Sequence, residues 1–149
     1  MSASNVNAAV HNYLAAQDTV LALVEEDYIC KGKLRKADLK GSGKAAIVIK
    51  ASGGDPRGNS LYNPRVNIMI YADNTRNDDD EPTAEDAEDR LWAIFKVIDP
   101  LLHWNNREPR TLDGIYILGS LRGVAPQILP DDDIGLEYLW AAYDMSLST

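Results

Sequence analysis

The chain is poor in the residues on which catalysis is usually built. Its 149 residues include one cysteine, Cys30, and two histidines, His11 and His103. A lone thiol excludes an internal disulfide framework and fits a reducing compartment. No apolar run approaches the ~20 residues needed to cross a bilayer. The N-terminal stretch Met1–Asn7 lacks a basic region followed by an apolar core, so secretion is not expected. Positive charge is also scarce, with 15 Lys and Arg against 23 Asp and Glu, for a net charge of −8. That balance argues against a nucleic-acid binder, which grips phosphates with clustered cations. An acidic surface of this kind serves solubility or repels a polyanion.

What is present is an ordinary soluble composition, 45% hydrophobic, on a length that fits one domain over residues 1–149. Val6, Val10, Tyr13 and Leu14 recur at helical spacing with Ser4 or Asn5 as a cap. Asp18 reads as the N-cap of a second short helix carrying Val20, Leu21 and Val24. Residues 28–43 are basic and irregular, and the Gly41-Ser42-Gly43 triplet breaks any regular element. Ala45–Ile49 then reads as a buried strand. The loop Gly53–Asn59 leads into Arg65–Tyr71, where Val66, Ile68 and Ile70 mark one face of a half-buried strand.

After the acidic loop Asp73–Glu81 comes the clearest helix, Thr83–Asp99. Thr83 and Asp86 have capping-box spacing. Ala87, Leu91, Ile94, Phe95 and Ile98 share one face, and Pro100 ends the helix. Two strand-like runs, Ile115–Leu118 and Leu136–Tyr143, flank a connection from Pro126 to Gly135 rich in Pro and Asp. This hairpin is apolar on both faces, which points to a protein that presents surfaces to partners. The order helix, strand, strand, helix, strand, strand predicts an α+β fold: a mainly antiparallel four-stranded sheet with helices packed on one face.

Tests for chemistry fail one by one. Neither histidine lies near a Ser or Cys in a nucleophile motif; His11 is expected to face solvent and His103 to sit at a boundary. Cys30 reads as a buried, inert thiol, since a reactive one needs a partner that lowers its pKa. Gly41-Ser42-Gly43-Lys44 fails as a phosphate loop, because Asp38 and Ala45 stand where Gly and Ser or Thr are required. A calcium loop starting at Asp73 fails as well, with Asp78 and Ala84 at positions that demand Gly and Glu. Asp131-Asp132-Asp133 reads as a solvated turn. No enzyme, metal or cofactor is expected. The basic 31–44 segment and the acidic 73–89 segment suit a head-to-tail pairing between copies.

Taken together, the chain resembles the tail terminator proteins of long-tailed bacteriophages. The likeness covers most of the chain in element order. Its most specific part is Ala125-Pro126-Gln127 followed by Pro130-Asp131-Asp132-Asp133-Ile134-Gly135 and a last aromatic strand. Arg65, Pro126, Gln127, Asp131 and Gly135 are the motif-like positions. The resemblance implies a virion protein that forms a hexameric ring, caps the tail tube, ends its polymerisation and joins tail to head. Implied partners are the major tail tube protein and the head–tail connector or stopper proteins, with assembly in the host cytoplasm and no membrane involved.

DNA would pass through such a ring without specific binding, because six copies of a chain carrying −8 total about −48 and repel it. Candidate contacts with the tube or a neighbouring subunit are Asp55, Arg57 and Asn59 in one loop, and Asp73, Arg76, Asp78, Asp79 and Asp80 in the other. Alternatives are another phage neck connector, or an acidic decoy whose eight acids between Asp78 and Asp89 mimic nucleic-acid phosphates.

Overall fold

Runs of β-branched and aliphatic side chains set the centre of the fold. In the computed structural model, which describes residues 3–34, 39–53, 61–74, 79, 86–104 and 109–148, Ala45–Ser52 forms β2 and Arg65–Ala72 forms β4. They pair antiparallel without a break, from Ala45 opposite Ala72 to Ser52 opposite Arg65. Val66, Ile68 and Ile70 are buried, as their alternation predicts, and so is every residue from Ala45 to Ile49.

Five further strands complete one sheet: β1 (Ile29–Lys31), β3 (Leu61–Tyr62), β5 (Arg110–Leu112), β6 (Ile115–Asp131) and β7 (Leu136–Ser148). Six lie in the order β1-β2-β4-β7-β6-β5, and β3 pairs with β7. β3 keeps the register that β4 holds on β7. The two are separated only at Asn63-Pro64, where proline has no N–H to give the ladder. β1 runs parallel to β2, so the sheet is mixed. The α+β class holds broadly, but the expected four-stranded sheet is incorrect: the sheet has seven strands and is mixed, with β1–β2 parallel and the other pairings antiparallel. Three of the missed strands are only two or three residues long, too short to carry a periodicity, and β1 begins inside the basic segment.

Local chemistry fixes the hairpins. Leu112 and Ile115 pair across Asp113-Gly114, both at positive φ, 46° and 82°, the combination that a tight two-residue turn requires. The expected Pro126–Gly135 connection is instead mostly strand, because β6 runs on to Asp131. Pro126 is accommodated in an interval where the register against β7 shifts, one of three such shifts along β6, and a bulge spares proline a ladder bond. The turn proper lies between Asp131 and Leu136. There the Asp131 carboxylate accepts from the amides of Asp133 and Ile134, at 3.2 and 3.3 Å, and Gly135 takes φ 77°.

The helices cover one face of the sheet. α1 (Ala3–Ala15) buries Val6, Val10 and Leu14, and the expected caps Ser4 and Asn5 lie within it. α2 (Asp18–Leu21) has Gln17, not Asp18, at its N-cap. α3 (Ala87–Leu102) buries Leu91, Ile94, Phe95, Ile98 and Leu102. Its cap is Asp86, whose carboxylate accepts from the Glu88 amide at 3.1 Å; Thr83 lies outside the described residues. Pro100 sits inside the last turn instead of ending the helix, and the His103 amide donates to the Asp99 carbonyl at 2.8 Å. These residues merge with Ile47, Ile49, Ile68, Ile70, Leu139 and Tyr143 in one core. A smaller cluster of Cys30, Leu39, Ala46, Val48 and Tyr71 lies on the other face. No described helix is long and apolar enough to cross a membrane.

Candidate functional site

Pairing in register puts directly opposite residues on one side of the sheet, so the side away from the helices can be read from the ladder. Val48, Met69, Trp140 and Gln127 form one row across it, and Ala46, Tyr71, Tyr138 and Leu129 form the next. Lys50, Asn67, Ala142 and Val124 lie on the far side of the first row, followed by Ser52, Arg65, Asp144 and Leu121. Leu39, Leu34, Ile134 and Leu136 cover the Tyr71 end. Beyond them Met69, Leu129, Tyr138 and Trp140 are only half-buried, and Leu121 is 51% exposed. Lys50, Asn67, Met69, Leu129, Tyr138 and Trp140 line a groove of about 280 Å³.

Polar anchors hold this face rigid. The Trp140 indole donates to the Asn67 side-chain oxygen at 3.1 Å, and the Asn67 amide donates to the Lys50 carbonyl at 3.1 Å. Tyr71 and Tyr138 stack with ring centres 5.2 Å apart, and the Tyr71 hydroxyl donates to Asp131 at 2.9 Å. Burial, then the charge of its Asp131 acceptor, hold the Tyr71 phenol above its ordinary pKa. Arg65 grips Asp144 with two bonds, 2.8 and 3.1 Å. That fork lies over Gly123, where a Cβ would stand 2.0 Å from an Asp144 oxygen. Among the motif-like residues, Arg65 thus clamps β4 to β7, and Asp131 and Gly135 build the turn. Pro126 and Gln127 sit on the exposed stretch of β6.

The other sequence-derived candidates are scattered. Asp73 is only 5% exposed. Its carboxylate accepts from the Gly43 amide at 2.8 Å, and the Arg90 guanidinium donates to the carbonyls of both Gly43 and Asp73. It therefore latches the start of β2 to the end of β4 and to α3. Asp79 is exposed. Asp55, Arg57, Asn59, Arg76, Asp78 and Asp80 lie outside the described residues. Lys44 from the basic segment is paired within the chain, donating to Glu25 at 3.0 Å, and that bond and the Glu25 charge raise its pKa.

Nothing catalytic assembles from these residues. Contrary to expectation His11 is not free in solvent: one of its ring nitrogens contacts the Ile29 carbonyl at 3.0 Å. Cys30 is buried, in the cluster on the opposite face from α1. His103 is exposed and accepts from the Arg122 amide at 2.9 Å. Among the described residues no three His, Cys, Asp or Glu side chains are grouped to hold a metal. What the described residues do assemble is the half-buried apolar groove of Met69, Leu129, Tyr138 and Trp140. Periodicity singles out no individual residue of the groove, although Met69, Tyr138 and Trp140 are visible as large apolar residues at the strand positions that alternate with the buried ones.

No family model and no curated protein matches the sequence. A chain from the solved virion of a native gene transfer agent particle shares the fold, with a TM-score of 0.62 at 10% sequence identity. The superposition spans 99% of this chain and 98% of that one.

Proposed function

We propose that the chain is a structural protein of a phage-like virion, and that it acts as a tail terminator. In this reading it forms a hexameric ring that caps the tail tube, ends its polymerisation and joins tail to head. The observation that carries the proposal is the end-to-end fold shared with a chain of the gene transfer agent virion. The Pro126-Gln127 to Gly135 sequence supports the terminator role within that setting. An open, rigid apolar sheet face also suits a protein whose work is contact, since such faces mark sites of association.

The partners in this reading are the major tail tube protein on one side and the connector or stopper proteins on the other. DNA traverses the ring without being held, because a chain of net charge −8 repels the phosphate backbone. Within the acidic 73–81 stretch, Asp78, Asp79 and Asp80 make the contact with the tube or a neighbouring subunit, while Asp73 serves the internal latch to Gly43. Replacing Asp78, Asp79 and Asp80 with Lys is expected to leave circular dichroism unchanged and to abolish tail joining in an in vitro head–tail complementation assay. Full joining by that variant would remove the loop from the contact. Binding to completed heads in preference to tail tubes would assign the chain to the connectors instead.

A further inference from the structure

The chain's two histidines each touch a backbone group at an edge of the sheet, in opposite senses. His11 on α1 contacts the Ile29 carbonyl of β1 at 3.0 Å. A carbonyl only accepts, so a ring N–H donates there, and an imidazole has such an N–H whether neutral or protonated. His103, the residue after α3, contacts the Arg122 amide of β6 at 2.9 Å. An amide only donates, so Nδ1 accepts with its lone pair and the neutral ring is the Nε2–H tautomer. A second proton on this ring removes the acceptor.

The bond matters because of where it lies. On its outer side β6 is covered by β5 only as far as Ile117, opposite Arg110. Trp104 takes over at Ser120, and the two exchange backbone bonds of 2.7 and 3.1 Å. Arg122, two residues on, presents the next outward amide, and the His103 ring stands where a partner strand would place a carbonyl. Among the described residues no strand or bridge covers this edge beyond Arg122. The ring is thus the last closure of an edge whose free amides are a template for strand addition. It also helps stitch α3 to β6, beside the Ser120 hydroxyl that donates to the Leu102 carbonyl.

His103 is exposed, so protons reach it from solvent. Among the described residues, the charged groups on the elements that meet at this seam are Lys96 and Asp99 of α3, Arg122 of β6 and Arg110 of β5. Lys96 is exposed further back on α3. The Arg110 guanidinium lies over the Trp104 ring, 4.7 Å from its centre. Asp99 already accepts from Arg122 and from the Tyr143 hydroxyl, at 2.7 and 2.8 Å. Protonation of His103 therefore costs the amide bond and adds a cation next to a residue that is itself cationic.

We propose that His103 is an acid-released latch on the β6 edge: acidification through the imidazole range detaches its ring from Arg122 and uncaps the strand there, while the His11 contact at β1 persists. Amide hydrogen exchange of the intact chain, followed by NMR, tests it. After correction for the pH dependence of exchange itself, the Arg122 amide is expected to lose about fivefold in protection between about pH 8 and about pH 5, the effect of one hydrogen bond. The Ser120 amide donates to the Trp104 carbonyl, which does not titrate, and should keep its protection. His103→Asn supplies a non-titrating carbonyl oxygen in place of Nδ1 and should hold Arg122 protected throughout. His103→Ala should leave it unprotected throughout. Wild-type protection at Arg122 that ignores pH, or an Asn variant that loses it in acid as the wild type does, would overturn the latch. A parallel fall at Ser120 would overturn it equally, by making the acid response a general loosening.

Discussion

The two faces of β4 and β7 are built from alternating residues of the same strands, yet they have different fates. Val66, Ile68, Ile70, Leu139 and Tyr143 point toward α1 and α3 and are almost wholly buried. Met69, Tyr138 and Trp140 point the other way and stay half-buried, although they are just as large and apolar. Helices cover one side, while on the other, among the described residues, Leu34, Leu39 and the Asp131–Leu136 turn cover a corner. The difference teaches that apolar character in a strand does not by itself say where the core lies. In the proposed reading, this second apolar face is the surface that serves association.

Neighbouring substitutions separate the faces most sharply. Ile68→Ala removes a side chain from the helix-covered core and is expected to cost about 2–5 kcal/mol. Met69→Ala, one residue away on the open face, is expected to cost about 1 kcal/mol. Urea unfolding checks both, and equal losses would erase the distinction drawn here. The next largest effect belongs to Tyr143, whose buried hydroxyl donates to Asp99 at 2.8 Å. Asp99 also holds Arg122 at 2.7 Å. Tyr143→Phe removes a hydrogen bond to a charged acceptor and should cost about 1.5–3 kcal/mol by the same measurement.

The two faces also share a pH response. Burial first, and then a carboxylate acceptor, raise the pKa of Tyr71 on the open side and of Tyr143 on the core side. An acid whose folded pKa lies above its unfolded value stabilises fully below the unfolded pKa, and that stability drains away as pH rises toward the folded pKa. Stability linked to these groups is therefore expected to be level up to about pH 10 and to fall above it. Tyr71→Phe combined with Tyr143→Phe should flatten the fall, as followed by thermal melts across that range. The smallest effect belongs to Gly123→Ala, whose added carbon would displace Asp144 from Arg65. That pair is exposed to solvent, so calorimetry should show only a slight drop in melting temperature. A drop as large as that of Ile68→Ala would make the pair part of the core.

The sequence discloses much of this architecture wherever side-chain period dominates. The alternation in Arg65–Tyr71, the apolar run Ala45–Ile49 and the stripe from Leu91 to Ile98 each lead to the element observed. The short strands escape for a physical reason: β1 and β3 owe their form to partners distant in sequence, and β5 is three residues folded onto β6 by a tight turn. Asp113-Gly114 does signal its turn chemically, though a reading by periodicity alone passes over it. Pro126 misleads in the opposite direction, since a proline that reads as loop is tolerated where the ladder register shifts. The candidate surface is half-legible. A final hairpin apolar on both faces points to an apolar surface, but which residues form the groove depends on β4 lying beside β7, a pairing that sequence alone does not give. Asp73 shows the converse, reading as part of a solvated acidic loop while its carboxylate serves the amide of Gly43.

The most direct measurement is native mass spectrometry of the purified chain over a range of concentrations at low salt. A chain of 16.4 kDa closing into the proposed ring should give a hexamer of about 98 kDa. Trp140→Asp, which places a charge in the open face, should shift that species back to monomer without unfolding it. A wild-type chain found only as monomer or dimer, or a hexamer indifferent to Trp140→Asp, would contradict the claim that the open sheet face builds the assembly.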